Sequence, residues 1–361
     1  MKLLVSHGTP LSRTSKFFVL LIVVFGAHPL VAETLEWLYD VEVEVPTRSP
    51  AIAENAIERA LKICLMRVSG LAEIEETDVI RSALAEPSAF LMQYRFETVT
   101  DPTGAEKDVL EANFDKKLIQ ELSQRARLPI WPADRPSILI WMSIRSGSRS
   151  TVLRTGTAEG VRIAQRARDR GVELVLPLMD LKDRQLLNAS SIDGKFWLDV
   201  REASNRYSAD LTLAVSIHEN VFGNARIYIT VWFQEQSESS IIDDVERRTA
   251  GTVALDHAVQ FLTDRFSIDR ATQHMLTLQV SNVDTIRSYA ELLRYLEHQE
   301  FIDRLEIASY RDGVIELEIY TPSTAKRLAT LVDPELLIED AFQSDRESSA
   351  DALQFAWQGL K

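Results

Sequence analysis

Apolar and polar side chains alternate at the start of the long polar part of the chain. Leu35, Trp37 and Tyr39, then Val41, Val43 and Val45, fall on one face, as in a half-buried strand. After the turn Pro46–Pro50 the period changes. Ala53, Ala56, Ile57, Ala60, Leu61, Cys64, Leu65 and Val68 recur at helical spacing, and Gly70 is placed to end that helix. A polar helix over 77–85, strands over 92–100 and 107–114 joined by Asp101-Pro102-Thr103-Gly104, and a helix over 115–127 complete a first α/β unit, residues 33–132. Pro129, Pro132 and Pro136 mark a stiff connector.

The second unit, 137–269, opens with the continuous apolar run Ile138–Ile144, the pattern of a strand buried on both faces. A helix over 158–170, an inner strand Val172–Leu176, a helix over 196–207, strands over 209–217 and 225–235, a short strand near Ile241 and a helix over 249–265 follow. The third unit, 275–340, has the order βαββαβ. Asp284 is placed to cap its first helix, Asp312-Gly313 to turn a hairpin, and Thr321-Pro322 to start its second helix. That order predicts a ferredoxin-like sandwich. The tail 342–361 is acidic and serine-rich and is expected to be loose. The fold class expected is α/β (α+β), with three small sheet-and-helix modules.

The first 32 residues change the picture of where the chain resides. Lys2, Arg13 and Lys16 precede the apolar run Phe17–Phe25, and Leu30-Val31-Ala32 ends on a small residue before Glu33. This is the tripartite pattern of a secretory signal, with cleavage expected after Ala32. An uncleaved anchor in the inner membrane is the alternative, although the run is short for a span. The net charge of −14 argues against sequence-independent nucleic-acid binding and disfavours docking on anionic lipid headgroups. The one cysteine, Cys64, cannot form an internal disulfide and falls on an apolar helix face.

Chemistry-bearing motifs are scarce. His218, His257, His274 and His298 are widely separated, and no pair has the spacing of a metal site on one helix face. There is no GxSxG, no serine–lysine or cysteine–histidine signature and no phosphate loop. Asp243-Asp244 and Glu75-Glu76 suit a solvated acidic face. No cofactor is expected. Of the six tryptophans, Trp37 and Trp141 suit core positions, and Trp131, between prolines at a boundary, suits an inter-unit or partner contact. One segment invites a partner. Pro177 stops the preceding strand, and Asp180, Asp183 and Arg184 follow among Leu178, Met179 and Leu181. Either this is a binding loop, or Leu178 and Leu181 plug the sheet edge with the charges outside. The candidate interaction residues are therefore Asp180, Asp183, Arg184 and Trp131.

Several runs carry a resemblance. Leu38-Tyr39-Asp40-Val41-Glu42-Val43, Leu65-Met66-Arg67-Val68-Ser69-Gly70, Leu128-Pro129-Ile130-Trp131 with Arg135-Pro136, Leu176–Leu181 and Arg206-Tyr207-Ser208-Ala209-Asp210 resemble the proteobacterial family called domain of unknown function 2066, over most of residues 35–340. The resemblance implies an exported Gram-negative envelope protein with no catalytic residues to carry over. Tyr207–Leu211 entering a strand also looks like the N-terminal domain of the translocation protein TolB and the curli secretion lipoprotein domain. Those families usually reach a glycine where Ala214-Val215-Ser216 stands here. Both likenesses imply binding and assembly. The expected function is a periplasmic non-enzymatic binding or scaffold protein with an envelope protein as partner, no nucleic acid and no stable membrane span after cleavage. The alternative is an envelope hydrolase built from scattered acids.

Overall fold

In the computed structural model, residues 36–101, 104–234, 236–332, 336–339 and 352–359 are described. The expected signal, 1–32, lies outside them. The first sheet contains β1 (Asp40–Glu44), followed by helices α1 (Pro50–Ser69) and α2 (Asp78–Ala85), then β2 (Leu91–Thr100) and β3 (Glu106–Phe114), and helix α3 (Lys116–Arg125). Its order is β1-β3-β2, all antiparallel. Val41, Val43, Leu110 and Ala112 pack with Ala56, Leu61 and Cys64 of α1. The alternation expected from Leu35 begins only at Asp40. Leu38 and Tyr39 are both buried, and two consecutive inward side chains require the short 3-10 turn found at Glu36–Leu38.

The second sheet starts with β4 (Ile138–Ser146), β5 (Arg149–Val152), α4 (Ala158–Asp169) and β6 (Leu174–Val175). Three short helices follow: α5 (Leu181–Leu186), α6 (Ala189–Asp193) and α7 (Trp197–Ser204). Strands β7 (Leu211–Glu219), β8 (Asn224–Phe233) and β9 (Gln236–Glu246) and helix α8 (Ala250–Phe266) complete it. The order is β5-β4-β7-β8-β9, with β6 beside the start of β4. Strands β4 and β7 run parallel in register from Ile138↔Leu211 to Ser146↔Glu219. Both faces of β4 are buried, as its apolar run requires. Ile138, Ile140 and Met142 join the core under α4 and α8, while Leu139 and Trp141 join the one under α5–α7.

The inner strand expected at Val172–Leu176 is instead the two-residue β6. It pairs only Ile138 and Leu139, because Pro177 removes the next donor and β5 occupies the rest of that edge. Strand β9 is eleven residues long, not a short piece near Ile241. Residues 181–186 and 189–193, to which the sequence pattern assigns no helix, form α5 and α6.

The third sheet holds β10 (His274–Ser281), α9 (Ile286–Glu297), β11 (Arg304–Arg311), β12 (Val314–Thr321), α10 (Ala325–Leu331), β13 (Leu337–Glu339) and β14 (Ala352–Trp357). Thr285, not Asp284, caps α9, with Ser288 completing a capping box. Thr324, not Thr321, caps α10. Thr321 is buried and donates its hydroxyl to the Phe301 carbonyl at 2.6 Å. The sheet order is β11-β12-β10-β14-β13. A ferredoxin-like sheet would place β13 beside β10. Here β14 lies between them, parallel to β10 and antiparallel to β13. The tail expected to be loose thus supplies an interior strand, with Phe355 and Trp357 in the core. Its period-two pattern Leu353, Phe355, Trp357 places all three side chains on the buried face.

The connector sends one side chain into a core of each sheet. Leu128 enters the core of the first sheet, Ile130 that of the third, and Trp131 that of the second. Ile130 and Ile268 exchange backbone hydrogen bonds at 2.8 and 2.7 Å, and the Trp131 amide donates to the Val68 carbonyl at 3.0 Å. Among the described residues, no helix is long and apolar enough to cross a membrane.

Candidate functional site

The layer α5–α7 covers one face of β4 and β7, and two polar clusters hold it there. The first builds the segment singled out in the sequence. The Asp180 carboxylate caps α5, accepting from the Lys182 and Asp183 amides at 3.0 Å each, and pairs with Arg206 at 2.9 Å. The Asp183 side chain is fully buried. It accepts from the Met179 amide at 2.8 Å, the Arg206 guanidinium at 2.8 Å and the Tyr207 hydroxyl at 2.5 Å. Hydrogen bonds from Arg206 and the Asp183 amide hold Asp180 well below the usual carboxylate range. Burial, with the Asp183 hydrogen bond, pushes the Tyr207 phenol up to about 12.

This clamp fixes Met179 at φ 52°, a left-handed conformation that a branched chain of contacts must enforce. It also inverts one expectation. Leu178 and Leu181 do not plug the sheet edge; they are 70% and 67% exposed, while Met179 and Asp183 turn inward. Arg184 is exposed, and its Nε donates to the Asp180 carbonyl at 3.2 Å. Trp131 is remote from this loop. It is completely buried against the opposite face of the sheet, with Arg135 stacked on its ring at 4.2 Å. Trp131 is therefore an inter-unit contact and not a partner surface.

The second cluster had no motif to announce it. Ser143 and Arg145 of β4 stand beside Ser216 and His218 of β7 in parallel register, and alternate residues of a strand share a face. Above them, Asp193 ends α6. Its carboxylate, 3% exposed, accepts from Ser143 at 2.5 Å and Ser216 at 2.6 Å on one oxygen. On the other oxygen it accepts from Arg145 at 2.7 and 3.0 Å and from Ser150 at 3.2 Å. Burial raises the carboxyl, but these hydrogen bonds outweigh it, and the group lies below its ordinary value. His218 Nε2 is 3.0 Å from Ser216 Oγ. Burial, then the Arg145 charge, lowers its imidazole.

A serine, a histidine and an aspartate are together, yet their wiring is not that of a nucleophile. A base must take the serine proton, and the carboxylate must orient the base. Here the Ser216 hydroxyl donates to the carboxylate instead of to the ring, so the carboxylate holds the serine and does not orient a base. Ser216 is also 3% exposed. The cluster ties α6 to the sheet. Polar residues interrupting the apolar runs of β4 and β7 were its only signal in the sequence; Asp193 lies 50 residues from Ser143 and gave none. Among the described residues, no three metal-ligating side chains converge.

Residues 32–132, which span the first sheet and its helices, match a family described as a domain of unknown function (DUF8605). No curated protein matches the chain. Among solved structures, the chain is similar to the C-terminal domain of LpoB from Salmonella enterica. That likeness has 15% identity, covers 30% of this chain and 84% of that one, and has a TM-score of 0.19. At that score it carries no argument.

Proposed function

We propose that the protein is a periplasmic, non-enzymatic binding or scaffold protein of the Gram-negative envelope, exported by the signal in residues 1–32. It docks an envelope protein on the outer face of α5–α7. Membership of the family called domain of unknown function 2066, with a TolB-like second sheet, belongs to the same proposal. The observation that carries the reading is the clamp. A fully buried carboxylate, an ion pair and a left-handed methionine together hold Leu178 and Leu181 out in water. Leu198, on α7, is 81% exposed on the same layer, and α5 and α7 pack together. Rigid, exposed apolar residues suit a preorganised docking surface.

Leu178→Glu with Leu181→Glu tests this. Crosslinking in intact cells is expected to lose the partner that wild type captures, with the melting temperature unchanged because both side chains are exposed. Unchanged crosslinks would remove this face from the function, and a large fall in melting temperature would show that it is structural.

A further inference from the structure

The register places two hairpin tips and the end of β9 at one end of the second sheet. Ser146 pairs with both Arg149 and Glu219, Glu219 with Ala225, and Asn224 with Glu246. The β7–β8 tip is Asn220-Val221-Phe222-Gly223. The Asn220 side chain accepts from the Phe222 and Asn224 amides at 2.8 and 3.1 Å, so the turn is built and not slack. It presents Val221 and Phe222 at 93% and 88% exposure. On the same sheet, Lys195 sits over the Tyr228 ring at 4.6 Å.

The charge around this tip differs from that of the whole acidic chain. Arg149, Arg154, Lys195 and Arg248 are exposed and have no ion-pair partner among the described residues. The nearby carboxylates are largely committed. Asp193 pairs with Arg145, Glu159 with Arg162 and Arg247, and Asp243 with Arg226; Glu219 accepts from the Ser146 hydroxyl and Asp244 from Asn224. An open cleft of about 450 Å³ beside the tip is lined by Arg162, Arg247 and Arg248 and by Glu159, Glu219 and Glu246. Arg162 and Arg247 pair with Glu159 inside it, and Arg248 stands at its edge with no ion-pair partner among the described residues.

We propose that this end of the sheet rests on an anionic lipid surface. Val221 and Phe222 enter the boundary between headgroups and acyl chains, and Arg149, Arg154, Lys195 and Arg248 pair with lipid phosphates. An apolar finger with a cationic collar is matched by a surface that is apolar below and anionic above. The acidic remainder of the molecule is repelled by the same surface, which fixes the orientation. Val221, Phe222, Arg149 and Arg248 lie outside the α5–α7 layer, so variants at these four positions can fail without that docking layer failing.

Sedimentation of the full chain with phosphatidylcholine vesicles containing phosphatidylglycerol tests it. Val221→Ser with Phe222→Ser, and separately Arg149→Gln with Arg248→Gln, are each expected to lower the bound fraction several-fold with no change in melting temperature. The N-terminal apolar run is common to all three proteins, so the differences report the tip and collar alone. Either double variant binding like wild type overturns the proposal. Competition by soluble glycerol phosphate with the tip variant still bound as wild type also overturns it, by showing a site for a free phosphate instead.

Discussion

Asp193 shows how a single carboxylate can organise a layer. Three hydroxyls and a guanidinium converge on it, and removing it strands all of them. Asp193→Ala is expected to cost about 3 kcal/mol in chemical denaturation, the scale of losing the acceptor for several buried donors; the share from Arg145 is discounted because that side chain is 42% exposed. The pH dependence has a definite sign. The folded carboxyl lies below its ordinary value, so its contribution is present above the ordinary carboxylate range and lost as pH falls through the folded value. Asp193→Ala should flatten that acid limb, and an unchanged limb would contradict the assignment. Nothing in the sequence marks Asp193, because its partners come from three strands, β4 and β5 before it in the chain and β7 after it. Cys64 is the contrary case. Its place on the helical stripe of α1 is enough to predict burial, and it is fully buried, with its thiol pushed up to about 12 by loss of solvent.

At the scale of elements, periodicity located most helices and strands, since a core-facing stripe must repeat at 3.6 or 2 residues. It failed where elements are too short to show a period, as in α5 and α6, and where pairing decides. The run Val172–Leu176 is apolar enough for an inner strand, but β5 and Pro177 leave it two residues. The C-terminal strand was hidden by its surroundings: six residues of alternating pattern behind an acidic, serine-rich stretch. Strand β14 supplies the most direct test of the third sheet. Phe355 and Trp357 are 2% and 3% exposed, and Phe355 lies beside Val280 of the central β10. Phe355→Ala or Trp357→Ala is expected to cost about 3–5 kcal/mol, the usual range for emptying an aromatic core site. Denaturant titration monitored in the third sheet would read this, and a cost near zero would mean that the strand is not held in the sheet.

Across the whole molecule, the decisive feature is that one short connector contributes to a core of each of the three sheets. Leu128, Ile130 and Trp131 each enter a different sheet's interior, and this is possible because Pro129 and Pro132 hold the backbone extended between them. Further bonds cross the same junction. Arg170, fully buried, pairs with Asp256 at 2.6 Å and donates to the Gly70 carbonyl at 2.9 Å. Arg135 donates to the carbonyls of Trp131, Pro132 and Gly171, and the Tyr39 hydroxyl reaches Glu300 at 3.1 Å. Gly70, at φ 74°, lies where any Cβ would meet Thr263 at 2.7 Å and Trp131 at 3.0 Å, so the first helix must end there without a side chain. Prolines alone could predict stiffness in this connector; its threefold anchoring depends on contacts far apart in the chain, such as that of Ile130 with Ile268. Cores that share a rigid strut unfold together, because none can lose its strut residue without exposing the next. Calorimetry is therefore expected to show one unfolding transition for the three sheets. Inserting a glycine pair between Pro129 and Ile130 shifts Ile130 and Trp131 out of their sites and should split that transition into separate steps. A wild-type chain that already melts in steps, or an insertion that leaves a single unshifted transition, would remove the connector from this role.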